Sequence, residues 1–368
     1  MNILILNWRD IKNPAGGGAE ILTHEIAKRW VTAGHHVTQF SSAYPEALSS
    51  ESVDNVMFIR QGHWWSVHLY SFIYYLRNKK SYDVIIDEVH WFPFFAAVYA
   101  PKKTIALTCE VATKLLYRIF PYPVAFVFSM IEKVYLLLYK KVPTMAISPS
   151  TRDDLIVSGH DENSIVVLPM GLTLPKGLKL QNKESQPTLI SIGRLNKQKG
   201  TLELLETFSK IHKSFPSSKL WLIGSGDKIF KEGILNRARK LKIEDSITLW
   251  GFITEKEKFN LLSRSHILIS ASQQEGWGLT IPEAGMMKTP SVVYNIPGFR
   301  DIIVQNKTGI LTKTNPESLA EDTIKLLRDK KLYNKLQENS YIQAKSYSWE
   351  ETAIKAQEFF HKYISTKK

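Results

Sequence analysis

The chain has 368 residues, 44% hydrophobic and 23% charged, a globular composition too long for one ordinary core, so two domains are expected. Its single cysteine, Cys109, excludes an intramolecular disulfide and a zinc site of clustered thiolates, and suits a reducing, cytoplasmic compartment. The net charge of +13 is uneven: residues 1–170 hold 16 Lys+Arg against 15 Asp+Glu (+1), and residues 171–368 hold 32 against 20 (+12), which points to a phosphorylated or polyanionic ligand on the second half.

In chain order, Asn2–Asn7 reads as a buried first strand rather than a secretory leader, because no basic region precedes it and Trp8, Arg9 and Asp10 follow at once. The loop Asn13–Glu20 carries Gly16, Gly17 and Gly18, a Gly-rich turn that could offer amides to an anion or be a plain turn. It lacks the third glycine of the dinucleotide fingerprint, since Ile21 stands there. Ala19–Ala33 reads as a helix closed by Gly34. Strands follow at His36–Ser41, Val56–Ile59, Asp83–Ile86, Thr104–Thr108 and Thr144–Ile147, and a helix at Ser150–Val157 takes Ser150 as its cap. The apolar stretch from Ile119 to Ile131 holds 13 residues and two prolines, short of the roughly 20 needed to cross a bilayer.

The stretch 169–187, rich in Pro, Gly and Lys, marks a boundary. The expected organisation is a first domain over 1–170, a linker over 171–187, a second domain over 188–346 and a final helix over 347–368. The second half repeats the strand–helix alternation, with strands at Thr188–Ile192, Lys219–Ile223, Ser246–Leu249, Ile267–Ser270 and Ser291–Tyr294. Two doubly wound, parallel, Rossmann-like α/β sheets are therefore expected, with ligands outside the carboxyl ends of the strands.

Two motifs fall at such ends. Glu275-Gly276-Trp277-Gly278-Leu279-Thr280-Ile281-Pro282-Glu283 follows the strand Ile267–Ser270. Its glycines let backbone approach a ligand, its helix start offers amides to a phosphate, and a carboxylate suits the diols of sugar and ribose. Thr280 and Glu283 also fit a capping box, in which Glu283 only returns a hydrogen bond to the cap. Gly193-Arg194-Leu195-Asn196-Lys197-Gln198-Lys199-Gly200 follows Thr188–Ile192, and two cations on such a loop suit a diphosphate or are merely solvated.

Together these motifs resemble the family-four glycosyltransferases over nearly the whole chain, and Asp83–Glu88 with Pro93-Phe94-Phe95 is similar to a bacterial and archaeal subgroup. The family's Glu-x7-Glu motif matches Glu275 and Glu283, its basic pair Arg194 and Lys199, and its glycine loop Gly17 and Gly18. The resemblance implies a GT-B fold, two domains facing across a cleft, and a nucleotide-diphosphate sugar as co-substrate. It also implies transfer with retained anomeric configuration and no metal or other cofactor. Glu275, Arg194 and Lys199 take the catalytic roles. Gly17, Gly18, Gly276, Trp277, Gly278, Leu279, Thr280 and Glu283 line the donor, with Glu283 on the ribose. Where many relatives carry a histidine, this chain has Cys109, or Glu110 after a one-residue slip, and His90 falls near the same place.

Trp64-Trp65 through Lys80, and Leu115–Lys141 with its lysines, set aromatic bulk beside positive charge. Such stretches suit an anionic membrane face or a lipid-linked acceptor, and equally buried packing. The expected protein is thus a cytoplasmic glycosyltransferase, peripheral on the inner membrane face, acting on a glycan or lipid-linked acceptor. No nucleic-acid module is visible. An epimerase or phosphorylase-like enzyme of the same fold, or a non-catalytic sugar-nucleotide-binding protein, are the competing readings.

Overall fold

A computed structural model describes the backbone of residues 1–365 and their side chains except those of Lys114, Arg118 and Ser365. The chain divides into two compact units: Met1–Gly171 with Ser348–Lys368, and Leu172–Tyr347.

The first unit is built on an eight-stranded sheet: β1 (Asn2–Leu6), β2 (His36–Ser41), β3 (Ser50–Val53), β4 (Val56–Arg60), β5 (Val84–Val89), β6 (Thr104–Thr108), β7 (Thr144–Ala146) and β8 (Ile165–Val167), in the order β3-β4-β2-β1-β5-β6-β7-β8. Every pairing is parallel except the β3–β4 hairpin at the edge. The central strands are largely apolar because helices cover both faces; Ile3 to Leu6 and Val84 to Ile86 are fully buried, and β5 ends in the buried polar pair Asp87 and Glu88 before Val89. Strand order reverses at β1 and β5, which places the crevice of this sheet at their carboxyl ends.

Several local features differ from the sequence reading. The helix after β7 is Pro149–Val157 and is capped by Ser148, whose Oγ accepts the Thr151 amide at 3.1 Å, because Pro149 takes the first helical position. The apolar stretch after β6 is two helices, Thr113–Ile119 and Tyr122–Tyr139, broken at Phe120 and Pro121. The second is 18 residues long, with a mean hydropathy of 1.3, so by length and composition it is long and apolar enough to cross a membrane. One stripe of it, Ala125, Ser129, Glu132, Leu136 and Tyr139, is buried against the unit. Glu132 accepts the Ala112 amide at 2.7 Å and the Tyr135 hydroxyl at 3.1 Å there.

The final helix, Trp349–Ser365, packs on the helix Gly18–Thr32 of the first unit. Trp30 Nε1 donates to Ala353 O at 3.0 Å, Arg29 pairs with Glu350 at 2.8 Å, and Phe360 stands edge-on to the Trp30 ring. At the sheet edge the fully buried Arg60 guanidinium holds Asp10 at 2.7 Å, and Asp10 in turn accepts the Lys12 amide, which braces the glycine loop that follows.

The second unit is a six-stranded, all-parallel sheet: β9 (Thr188–Ile192), β10 (Lys219–Ile223), β11 (Ile247–Gly251), β12 (Ile267–Ser270), β13 (Ser291–Tyr294) and β14 (Ile310–Thr312), in the order β11-β10-β9-β12-β13-β14. Its order reverses at β9 and β12. Residues 172–187 lie on this unit rather than hanging free: Glu184 N donates to Arg264 O at 2.9 Å and Lys183 Nζ to Thr289 Oγ1 at 2.7 Å. Burial pushes the Lys183 ammonium down to about 7.

Candidate functional site

In the second unit both motifs lie at the β9/β12 reversal. The loop after β9 is shaped by glycines: Gly200 has φ +64°, and a Cβ there would collide with the Ala271 backbone. Gln273 N donates to Gln198 O at 3.0 Å, stitching the β9 loop to the β12 loop. This brings Lys199 Nζ to 2.6 Å from Glu275 Oε1, with 24% and 19% of the two side chains exposed. Arg194, on the same loop, is exposed to solvent. Arg194 and Lys199 thus line one small pocket at the carboxyl end of β9, and Lys199 carries Glu275, all reachable from water.

The rest of the Glu275–Glu283 string frames this group. Gly278 has φ +97°, and a Cβ there would sit 2.7 Å from the Phe299 ring, so the backbone at Trp277-Gly278 turns in a way only glycine allows cheaply. Trp277 is buried edge-on against Tyr347. The helix runs Thr280–Met286 with Leu279 as its cap residue and no side-chain cap. The capping box is therefore not formed. Glu283 is instead buried and accepts Lys258 Nζ at 2.8 Å. Burial pushes the Glu283 carboxyl up and Lys258 pulls it partly back. For Lys258 the two acids Glu283 and Glu255 outweigh burial, which alone would lower it, and hold the ammonium charged. With only seven residues the helix has a small dipole, which leaves Arg194 and Lys199 as the main attraction for an anion.

In the first unit the glycine loop is more occupied than its sequence implies. Gly16 N donates to Asn13 O at 2.8 Å, and Gly17 N donates to Glu20 Oε2 at 2.6 Å. Glu20 is buried and also takes Arg9 Nε at 2.9 Å. The amides of Gly16 and Gly17 are thus already used, and Gly18 opens the helix Gly18–Thr32.

At the β1/β5 reversal the structure brings the expected His90 and Cys109 together around Glu88, which sequence reasoning did not name as a site residue. Glu88, in β5, is 1% exposed. Its Oε2 accepts Asn7 Nδ2 at 2.5 Å and Thr23 Oγ1 at 2.6 Å, and its Oε1 faces Cys109 Sγ at 3.8 Å. Burial, with Glu20 close by, pushes its carboxyl up to about 8, so it carries its proton at neutral pH. Burial and the surrounding acids likewise push the Cys109 thiol well above its ordinary value. The legible signal was the pair Asp87-Glu88 inside an otherwise apolar strand. Donor atoms of Glu88, His90 and Cys109 lie within 4.8 Å of one another. They are N, O and S ligands in type, but a metal there would have to expel the protons of both the carboxyl and the thiol. Glu110 is half-buried beside Cys109.

Comparison with known proteins agrees with this layout. A family model described as "Glycosyltransferase Family 4" matches residues 16–174, and one described as "Glycosyl transferases group 1" matches residues 178–343. An uncharacterized glycosyltransferase of Haemophilus influenzae is 30% identical over 193 residues, 51% of this chain and 52% of that protein. The alpha-monoglucosyldiacylglycerol synthase of Acholeplasma laidlawii is 25% identical over 58% of this chain and 56% of its own length. The matched stretches thus span about half the length of these relatives. Among solved structures, a sucrose-phosphate synthase from Thermosynechococcus elongatus superposes with a TM-score of 0.82 over 99% of both chains at 17% identity. An Anabaena protein crystallised with UDP and glucose does so with a TM-score of 0.74, over 98% of this chain and 100% of that one at 16% identity. These likenesses show the GT-B fold, and with the two family models covering both units, the chain belongs to the family-four glycosyltransferases.

Proposed function

We propose that the protein transfers a sugar from a nucleotide-diphosphate donor, with retained anomeric configuration and without a metal ion, to a glycan or lipid-linked acceptor. The observation that carries this reading is the Lys199–Glu275 pair, 2.6 Å apart at the β9/β12 reversal with Arg194 exposed beside it. An Arg fork and a Lys ammonium match a diphosphate, and Lys199 has three donors, so it can hold Glu275 and a phosphate oxygen together. Glu275 then takes donor-sugar hydroxyls. Neutralising the departing diphosphate supplies most of the transition-state stabilisation. Glu283, kept in place by Lys258, takes the ribose. Retention is the family's chemistry, and Glu88, protonated up to about 8, is not the ionised base that inversion would ask of it. The relative named for diacylglycerol glucosylation, and the exposed apolar face of the helix Tyr122–Tyr139 beside Lys133, Lys140 and Lys141, support an acceptor met at an anionic membrane surface on the cytoplasmic side.

The test is product analysis by NMR after incubation with a panel of sugar nucleotides, with and without EDTA. An α-linked product from an α-linked donor, formed equally in chelator, is expected. A free epimer or sugar phosphate would make it one of the other enzymes of this fold, and dependence on added Mg²⁺ or Mn²⁺ would refute the metal-independent site.

A further inference from the structure

Beside the β1/β5 reversal the first unit contains a cavity of about 520 Å³ walled by Trp8, Trp64, Trp65, Trp91 and Phe92, within the about 300–1,000 Å³ usual for small-ligand sites. Trp64 and Trp65 are 69% and 67% exposed, with Trp65 stacked on His63 at 5.9 Å between ring centres, an arrangement that leaves large apolar rings mostly in water. The wall is built at some cost. Trp91 has φ +72° and Phe95 φ +58°, left-handed conformations that bulky residues adopt only when their surroundings impose them. The imposing group is Asp87, buried in β5, which accepts the Phe94 and Ala96 amides at 2.9 Å each and the Tyr139 hydroxyl. One carboxylate thus ties the Trp91–Phe95 loop to the helix Tyr122–Tyr139.

The cavity is continuous with that helix's outer face. Trp91 stands edge-on to Phe120 at 6.4 Å between ring centres and Phe120 to Phe128 at 5.2 Å, while Phe92 anchors the loop on the buried Tyr135 of the same helix at 6.1 Å. Beyond Phe128 the exposed side of the helix carries Val127, Ile131, Val134, Leu137 and Leu138. The wall is dominated by aromatic rings: Trp8 Nε1 and His68 Nε2 are buried, and His68 lies stacked on Phe94 at 4.5 Å. A pyranose needs a carboxylate or amide fork for its hydroxyls, and none lines this cavity. His90 alone joins it to Glu88 and Cys109.

We infer that this cavity holds the hydrocarbon chain of a lipid-linked acceptor, reached along the aromatic track from a membrane-facing helix, with the acceptor's polar end toward His90 and Glu88. The inference rests on the acceptor side of the proposed function and names its class as a long-chain lipid carrier. The probe is dodecyl maltoside with a brominated chain, below its micelle concentration, read by quenching of tryptophan fluorescence in the full chain. Saturable quenching is expected, weakened at least tenfold by Trp65→Asp, a change at an exposed ring that leaves Trp8, Trp64 and Trp91 as reporters. Affinity for unbranched alkyl maltosides should rise by up to about fourfold per methylene until the cavity is filled. Maltose binding as tightly as the alkyl maltosides, or non-saturable quenching unchanged in Trp65→Asp, would overturn the inference. Failure of the transferase reading would show separately, as no product from any donor while saturable chain binding persists.

Discussion

At the reversal of the first sheet Asn7 and Glu88 meet at 2.5 Å with 0% and 1% of the two residues exposed, whereas at that of the second Lys199 and Glu275 meet at 2.6 Å with about a fifth of each side chain in water. The topology is the same and the electrostatics are opposite. Burial keeps Glu88 protonated and Cys109 a neutral thiol, so the first site can position but is poorly equipped to accept a proton or attack. Access to water keeps Arg194, Lys199 and Glu275 available to a charged ligand. Burial, rather than residue type, decides which glutamate does chemistry with charge.

The largest effect that bears on this contrast is expected from Glu275→Gln. It should lower transfer by about 10²–10³ with the fold intact, the scale set by removing one transition-state contact; full activity in steady-state assays would remove Glu275 from the site. Breaking the buried Asp10–Arg60 pair with Arg60→Ala should cost about 3–5 kcal/mol of stability in denaturant titration, because Asp10 is left as an unpaired buried charge. A loss under 1 kcal/mol would show that the edge and its glycine loop are held by other means.

Glu88→Gln sharpens the comparison through pH. The folded carboxyl titrates near 8 against an ordinary 4.5, so the native state keeps a proton that the unfolded chain has lost. The stability contribution is whole below about 4.5, declines as pH rises toward 8, and is flat above. Replacing the carboxyl by an amide removes the decline, and the melting temperature of Glu88→Gln relative to the native protein should climb between pH 5 and pH 8. A difference that stays constant over that window would mean Glu88 is ionised in the fold. The smallest effect belongs to Cys109→Ala, which should retain transfer within roughly tenfold, about 1.4 kcal/mol of barrier, because a neutral buried thiol contributes shape only. A thousandfold loss with normal donor binding, or a sugar trapped on its sulfur, would make it a nucleophile.

Much of this layout was legible because the signals were local. Strands such as Thr188–Ile192 and Ile267–Ser270 announce themselves as short apolar runs before glycine loops, and the Arg194, Lys199, Glu275 and Glu283 motifs lie where strand ends put them. What escaped depends on partners distant in sequence. Glu88 acquires its character from Asn7, Thr23 and Cys109, none adjacent to it. The capping box at Thr280 and Glu283 was a fair local reading, overturned by Lys258 from another helix. The strands β3, β8 and β14 are three or four residues long, and all three edge the sheets, where neighbours rather than pattern define a strand. The helix Tyr122–Tyr139 was underestimated because Pro123 sits in its first turn, where proline is tolerated.

The central claim is that the charged reversal of the second sheet, and not the neutral one of the first, binds the donor. It is tested most directly by thermal stabilisation with nucleotide-diphosphate sugars across the native protein, Arg194→Ala, Lys199→Ala and Glu88→Gln. A donor at 100 times its dissociation constant stabilises by about 2.7 kcal/mol. That stabilisation should appear in the native protein and in Glu88→Gln and fall sharply in both cation variants. Undiminished stabilisation of Arg194→Ala and Lys199→Ala, or its loss in Glu88→Gln alone, would contradict the account.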